Sequence, residues 1–395
     1  MTKKVPKIRF EGHEDEWKKY RIGELYAPLD ERNNELISYS KTLSIATMTY
    51  RSEGSGAADK SLSNYKRLRL GDIAFEGHTS KEFRYGRFVL NDKGDGIMSP
   101  RFSAFRPLND YPVYFWKYYI HYEPLMKNIL VKSTKAGTMM HEIVSEDFLN
   151  NYLAIPTVEE QEKIGNYFQN LDNLIILHQL KHSKLLATKK AMLEKMFPKE
   201  GETVPEIRFE GYSKPWLKKT IGECFSERVE NMPEGELLSV TINYGIKRFA
   251  DLNRNDNSND DKSKYKKVYI GDIAYNSMRM WQGASGYSEY EGIVSPAYTV
   301  LSPNEGIDSK AISYLFKRGD MIHTFQLHSQ GITSDNWNLK YPALKEIEIY
   351  VAEDFSEQEK IGIYFQNLDK LITEEQAKIE KLKNIKSALL EKMFA

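Results

Sequence analysis

One cysteine, Cys224, occurs in 395 residues. That excludes a disulfide within the chain and any zinc site built on several thiolates, and makes a reducing cytoplasm the expected setting. No run of about 18 apolar residues exists, so no membrane-spanning helix is expected. The opening MTKKVPKIRF lacks the apolar stretch of a secretory signal. Net charge is missing as well, since 56 Lys and Arg balance 56 Asp and Glu. A nucleic-acid partner would have to be held by local basic clusters instead of a bulk field. The balance is slightly uneven, with 24 basic against 20 acidic side chains in residues 1–150 and 18 against 23 in residues 201–356. Catalytic signatures are absent too. No glycine precedes a lysine, which removes the Walker A phosphate loop. There is no G-x-G-x-x-G dinucleotide fingerprint and no Asn/Asp-Pro-Pro-Tyr/Phe stretch. His178 and His182 stand at i, i+4 without an evident third ligand, and His323 and His328 are no better supported. The expectation is no catalytic residue and no bound metal.

What the sequence does contain is itself, twice. EQEKIGNYFQNLD at 160–172 returns as EQEKIGIYFQNLD at 357–369, differing only at Asn166 and Ile363. Val5-Pro6, Ile8-Arg9-Phe10-Glu11-Gly12, Trp17 and Ile22-Gly23-Glu24 return as Val204-Pro205, Ile207-Arg208-Phe209-Glu210-Gly211, Trp216 and Ile221-Gly222-Glu223. Gly71-Asp72-Ile73-Ala74 returns at 271–274, Ser99-Pro100 at 295–296, and Leu193-Glu194-Lys195-Met196-Phe197 at 390–394. Order and spacing both hold, so the chain is a tandem duplication. Each copy opens with an aromatic-rich part full of short β-type runs such as Leu70–Phe75, broken by Gly, Asn, Asp and Ser clusters. Each closes with a long helix. The segments are 1–156, a first domain; 157–198, a first helix; 199–355, a second domain; and 356–395, a second helix.

The helices carry the clearest pattern. Thr157 and Ser356 stand three residues before Glu160 and Glu359, a capping-box spacing. Ile361, Phe365, Leu368, Ile372, Glu375, Ile379, Leu382, Lys386, Leu389 and Met393 keep strict 4-3 spacing, as do Ile164, Phe168, Leu171, Ile175, His178, His182, Leu185, Lys189, Met192 and Met196. So narrow a stripe is a coiled-coil seam, and each helix provides a partner of equal length, roughly 57 Å at 1.5 Å per residue. We expect an α+β fold in which two α/β domains are separated by two long antiparallel helices forming an intramolecular coiled coil. The duplication implies pseudo-twofold symmetry, with His178 opposite Glu375 near the middle.

Two pairs of loops carry candidate binding residues. Glu76–Arg87 (EGHTSKEFRYGR) offers Thr79, Ser80, Lys81, Arg84, Tyr85 and Arg87, and its counterpart Asn276–Gly286 offers Asn276, Met278, Arg279, Trp281 and Gln282. Arginine suits guanine edges and glutamine suits adenine. Gly86 and Gly283 would admit a closely approaching backbone. On residue chemistry alone, an ordinary surface hairpin with a core Trp281 and solvated arginines is the favoured reading. KSTKAGTMMH at 132–141 contributes Lys135, Thr138 and His141, while HSQGITSDNW at 328–337 contributes Ser329, Gln330, Thr333, Ser334 and Asn336. Such hydroxyls, amides and lysines suit phosphate contacts, and equally suit plain turns.

This organisation resembles the specificity (S) subunits of type I restriction–modification systems. The likeness covers the whole chain and rests on the V-P-x-I-R-F-x-G…W…I-G-E openings, the two GDIA segments, Val294-Ser295-Pro296-Ala297-Tyr298 and the two E-Q-E-K-I helices. It implies a non-catalytic, cytoplasmic DNA-binding protein. Its two target recognition domains would each read half of a bipartite, asymmetric site in double-stranded DNA. It implies helices that set the spacing and dock two modification (M) subunits, with restriction (R) subunits added. It also implies that S-adenosylmethionine, Mg and ATP belong to those partners and no cofactor to this chain. A duplicated coiled-coil scaffold holding peptides or small ligands at its end domains is the alternative.

Overall fold

In the computed structural model of the chain, which describes residues 6–51, 59–137, 140–242, 245–252, 255, 258, 260–333 and 336–394, the repeated Gly-Asp-Ile-Ala motif opens on a turn. Gly71 has φ +88° and Gly271 φ +98°, where glycine is strongly favoured, so the β run read from Leu70 begins only at Ile73. Asp72 accepts the N–H of Arg69 at 2.7 Å, and Asp272 that of Tyr269 at 2.8 Å, closing both turns. Each buried carboxylate needs a cation. Arg106 donates to Asp72 at 3.0 and 2.8 Å, and Arg228 to Asp272 at 2.8 and 2.9 Å. Arg106 lies on the strand Ala104–Pro107, whereas Arg228 directly follows the strand Phe225–Glu227, so one interaction has two sequence solutions.

The chain divides into two compact units, 1–179 with 377–395, and 180–376. Each holds a four-stranded antiparallel sheet of the same order. In the first it runs Tyr26–Pro28, Ala104–Pro107, Ile73–Glu76, Arg87–Leu90, and in the second Phe225–Glu227, Tyr298–Pro303, Ile273–Asn276, Ser285–Tyr287. A two-stranded ladder ties the start of each domain to its end, Lys18–Arg21 with Tyr152–Ile155 and Leu217–Thr220 with Glu348–Val351. Helices Val113–Tyr119 and Ser309–Leu315 then pack beside these sheets. The α+β class and the duplicated architecture follow directly.

Two helices, Val158–Lys195 and Phe355–Phe394, are unbroken over 38 and 40 residues. Within the second unit Lys181 reaches Glu375 at 2.9 Å and Lys189 pairs with Asp369, so the segments run antiparallel. Within the first unit Lys386 reaches Asp172 at 2.6 Å while Phe394 packs on Phe168, ring centroids 5.6 Å apart. That segment pair is antiparallel too. Ile164, Phe168, Leu171, Ile175, Ile361, Phe365, Leu368 and Glu375 are buried, and His178 and Ile372 half-buried. The stripe is not only a helix–helix seam, however. Its first positions are shared with the domain cores, where Tyr118 packs on Phe168 at 5.4 Å and Tyr314 on Phe365 at 5.1 Å. Each core is completed by a helix end from the other copy, Met393 and Phe394 in the first unit, Met196 and Phe197 in the second.

The capping expectation needs a correction. Thr157 does accept the N–H of Glu160, at 3.4 Å, but Glu160 does not reach back. It is buried and takes a bidentate pair from Arg9, at 2.8 and 2.7 Å. Arg208 clamps Glu357 in the same way, at 2.6 and 2.7 Å. The second helix is capped two residues before Ser356, by Asp354, whose carboxylate accepts the Ser356 N–H at 2.9 Å. One turn further in, Gly165 lets the backbone of Tyr114 and Phe115 lie against the helix, since a Cβ there would sit 2.4 Å from Phe115 N.

Candidate nucleic-acid interface

The paired loops singled out in the sequence meet within each unit. In the first, the N–H of His141 donates to Gly77 O at 2.9 Å; in the second, that of Leu339 donates to Ser277 O at 2.8 Å. A ring pair follows each link. Tyr85 meets His141 edge-on at 5.8 Å, and Trp281 meets Trp337 at 5.2 Å. Gly77 is obligatory, because a Cβ there would lie 2.0 Å from His141 O. Neither this link nor its glycine announces itself locally in the sequence. Its only trace is that both loop pairs recur in the same order.

In the first unit the loop after Ile73–Glu76 is pinned by Phe83, which is buried, and by Ser80, which accepts the Phe83 N–H at 3.0 Å. Thr79, Ser80, Lys81 and Arg84 are exposed, and Tyr85 is half-buried. Lys81 and Arg84 line an open groove with Glu82, Glu123 and Lys127. Arg87 differs: it lies over the Phe83 ring at 4.9 Å, reaches the buried Glu76 at 3.6 Å and donates to Ala46 O at 3.1 Å. Its guanidinium is thus engaged within the fold. Lys135 is exposed on the hairpin Thr134–Ala136/His141–Ile143, and His141 is half-buried in its ring pair. Thr138 lies outside the described residues.

In the second unit a short 3-10 turn, Met280–Gln282, hangs from the fully buried Met280 and ends at Gly283, φ +80°. The side-chain oxygen of Asn276 accepts the Met278 N–H at 3.0 Å, and Trp281 Nε1 donates to Met278 O at 3.1 Å. Trp281 is therefore half-buried and bonded to its own loop, while Met278, Arg279 and Gln282 are exposed. Lys317 braces the turn from beneath, donating to Gly283 O at 2.5 Å and Ile242 O at 3.0 Å. Desolvation pushes its ammonium down to about 8. Ser329 spends its hydroxyl on Phe325 O, whereas Gln330, Thr333 and Asn336 are exposed. Asn336 Nδ2 donates to Thr333 Oγ1 at 3.3 Å. Ser334 lies outside the described residues.

Two readings of glycine change. Gly86 opens no space for a ligand, since a Cβ would strike Glu76 O and Phe75 of its own fold, each at 2.7 Å, and Gly283 serves as the left-handed end of a turn. Among the described residues, each unit presents exposed cations beside hydroxyl or amide groups. Among the described residues no carboxylate pairs with Lys81, Arg84, Lys135 or Arg279, whereas Arg9, Arg67, Arg106, Arg208, Arg228 and Arg318 are all paired. Unpaired, loop-borne cations beside amide and hydroxyl donors can contact phosphates and base edges. Among the described residues no group of three or more His, Cys, Asp and Glu side chains is placed to hold a metal, and no helix is long and apolar enough to cross a membrane.

The family model described as the type I restriction modification DNA specificity domain matches residues 14–187 and again 213–384. Among solved structures, the chain is similar to the type I restriction–modification system S subunit from M. genitalium. That match has 17% identity and a TM-score of 0.55, covering 99% of both chains. It is also similar to the HsdS subunit from Thermoanaerobacter tengcongensis, at 17% identity and a TM-score of 0.47, over 100% of this chain and 99% of that one. No curated protein matches in sequence.

Proposed function

Because the chain belongs to the type I restriction modification DNA specificity family, we propose that it is the non-catalytic sequence-reading subunit of a type I restriction–modification complex. Each domain reads one half of a bipartite, asymmetric site in double-stranded DNA. The long helices set the distance between the halves and dock two modification subunits, to which restriction subunits are added. S-adenosylmethionine, Mg and ATP are held by those partners, and this chain binds no cofactor. The cytoplasm is the setting in which such a complex meets DNA.

The observation that carries the reading is a contrast within the duplication. The supports are kept alike: the Arg9–Glu160 and Arg208–Glu357 clamps, the Asp72 and Asp272 turns, and the loop-to-loop hydrogen bonds. The exposed tips differ almost completely, Lys81 and Arg84 against Met278, Arg279 and Gln282. A common frame bearing unlike tips suits a protein that presents two half-sites to two copies of one enzyme.

The test is a gel shift on DNA carrying the methylated motif, with and without the modification subunits. Specific binding that appears with those subunits and weakens steeply with salt, as phosphate contacts require, supports the reading. Salt-insensitive binding, or binding indifferent to sequence, would overturn it in favour of a peptide or small-ligand scaffold.

A further inference from the structure

Ile332 is 98% exposed, the most open large apolar side chain among the described residues. A full isoleucine side chain in water forgoes roughly 1.5–3 kcal/mol of burial, which a contact made at this position would recover. Nor is it there through slack. The loop is closed at its base by Gln330 and Asn338, whose backbones exchange hydrogen bonds at 3.0 and 2.8 Å, and again by Asn336 N donating to Thr333 O at 2.9 Å. Gly331, at φ +148°, makes the bend, and a Cβ on it would strike Asn336 O at 2.7 Å. Trp337 then joins this loop to Trp281 at 5.2 Å, on the platform that exposes Met278, Arg279 and Gln282.

We propose that Ile332 is a specificity-determining residue, packing on the C5-methyl group of a thymine in the half-site read by the second domain. The assignment rests on the DNA-reading function above. The occupant follows from the surroundings of the side chain. Among the described residues, the exposed side chains of this loop and of the turn it joins through Trp337 include a cation, Arg279, the amides of Gln282, Gln330 and Asn336, the Thr333 hydroxyl and one further apolar group, Met278. The cation, amides and hydroxyl match phosphates and base edges. On the major-groove edge of a duplex the apolar feature available is the thymine methyl. A tip held by backbone hydrogen bonds meets it with little ordering cost.

The experiment uses the complex of this chain with its modification subunits and a duplex carrying its mapped motif. Each thymine of the second-domain half-site is replaced in turn by deoxyuridine, which removes only the methyl group. The expected result is one position where wild-type binding falls roughly fourfold, the value of one buried methyl-sized group. Ile332→Ala should lose a similar factor or more on the thymine duplex and nothing further on the uracil one. Three outcomes would overturn the assignment while leaving DNA reading intact: a half-site without thymine, no sensitive thymine, or independent losses from variant and uracil. Loss of subunit assembly in Ile332→Ala would overturn it in favour of a protein contact. A 2-aminopurine signal of unstacking that depends on Ile332 while uracil has no effect would overturn it in favour of a wedge between base steps. Absence of any sequence-specific binding by the wild-type complex would overturn the proposed function, and this assignment with it.

Discussion

Replacing Gly165 by alanine sets two physical effects against each other, and the structure decides the sign. Inside a helix, glycine to alanine is ordinarily worth about 0.5–1 kcal/mol of added stability. At Gly165 the new Cβ would lie 2.4 Å from Phe115 N, 2.9 Å from Tyr114 C and 3.1 Å from Phe115 Cα. These are backbone atoms and cannot rotate away, and they precede Phe115 and Trp116, both fully buried. Relief requires the helix Val113–Tyr119 to retreat from the long helix, an overpacking cost of about 1–3 kcal/mol or somewhat more. Gly165→Ala should therefore destabilise the first unit by about 1–2 kcal/mol. Gly362 occupies the same motif, but its nearest neighbours stand farther off, Asp308 Oδ1 at 3.0 Å, Ala311 N at 3.2 Å and Lys310 Cβ at 3.2 Å, so a shift of a few tenths of an ångström relieves them. Gly362→Ala should fall within about 1 kcal/mol of neutral. Amide hydrogen exchange followed separately over residues 113–130 and 309–325 measures both. A stabilised first unit, or equal effects at the two glycines, would refute the reasoning.

Further outcomes follow from the same contacts. Arg9→Met leaves the Glu160 carboxylate buried without its cation and should cost about 3 kcal/mol in urea unfolding; Arg9→Met with Glu160→Leu should recover much of that loss, and failure to recover would count against the clamp. Lys317 titrates near 8 in the folded chain against 10.5 as its ordinary value. Between those values the unfolded chain binds the extra proton, so this residue's contribution makes stability rise with pH from about 8 to 10.5. Lys317→Met should flatten that rise, and an unchanged profile would remove Lys317 as its source. If the long helices set the spacing of half-sites, deleting seven residues from each shortens the rod by about 10 Å, or roughly three base pairs at ~3.4 Å per pair. Methylation mapping should then return a motif with a shorter gap, and an unaltered gap would end the ruler idea.

Much of the fold was legible because the chain displays it twice. The I-R-F opening and the E-Q-E-K-I helix start recur together, and the structure gives the reason: Arg9 holds Glu160, and Arg208 holds Glu357. The motifs preserve each other internally, before any partner is invoked. The turn at Gly71-Asp72 is hidden in the sequence because the β-formers after it dominate the window. The cation for this turn could not have been found by pattern, since Arg106 supplies it to Asp72 in one copy and Arg228 to Asp272 in the other, from different places in the two repeats that approach only on folding. Long-range contact also explains the readings that moved. Arg87 looks free in sequence, yet Glu76 and Phe83 take it once the hairpin closes. The second helix is capped by Asp354 instead of Ser356 because a carboxylate two residues earlier reaches the first free N–H. Ile332 is the opposite case: in sequence it is one apolar residue among polar neighbours, and only the loop closure holds it out in solvent.

The central claim is that each domain reads its own half of one DNA site. Mapping adenine methylation in cells that carry the partner subunits, with this chain intact and then with residues 25–150 exchanged for those of another family member, tests it most directly. The account predicts one split motif for the intact chain and, after exchange, a motif altered in one half with the other half and the gap preserved. A motif that changes in both halves, or in neither, would contradict it.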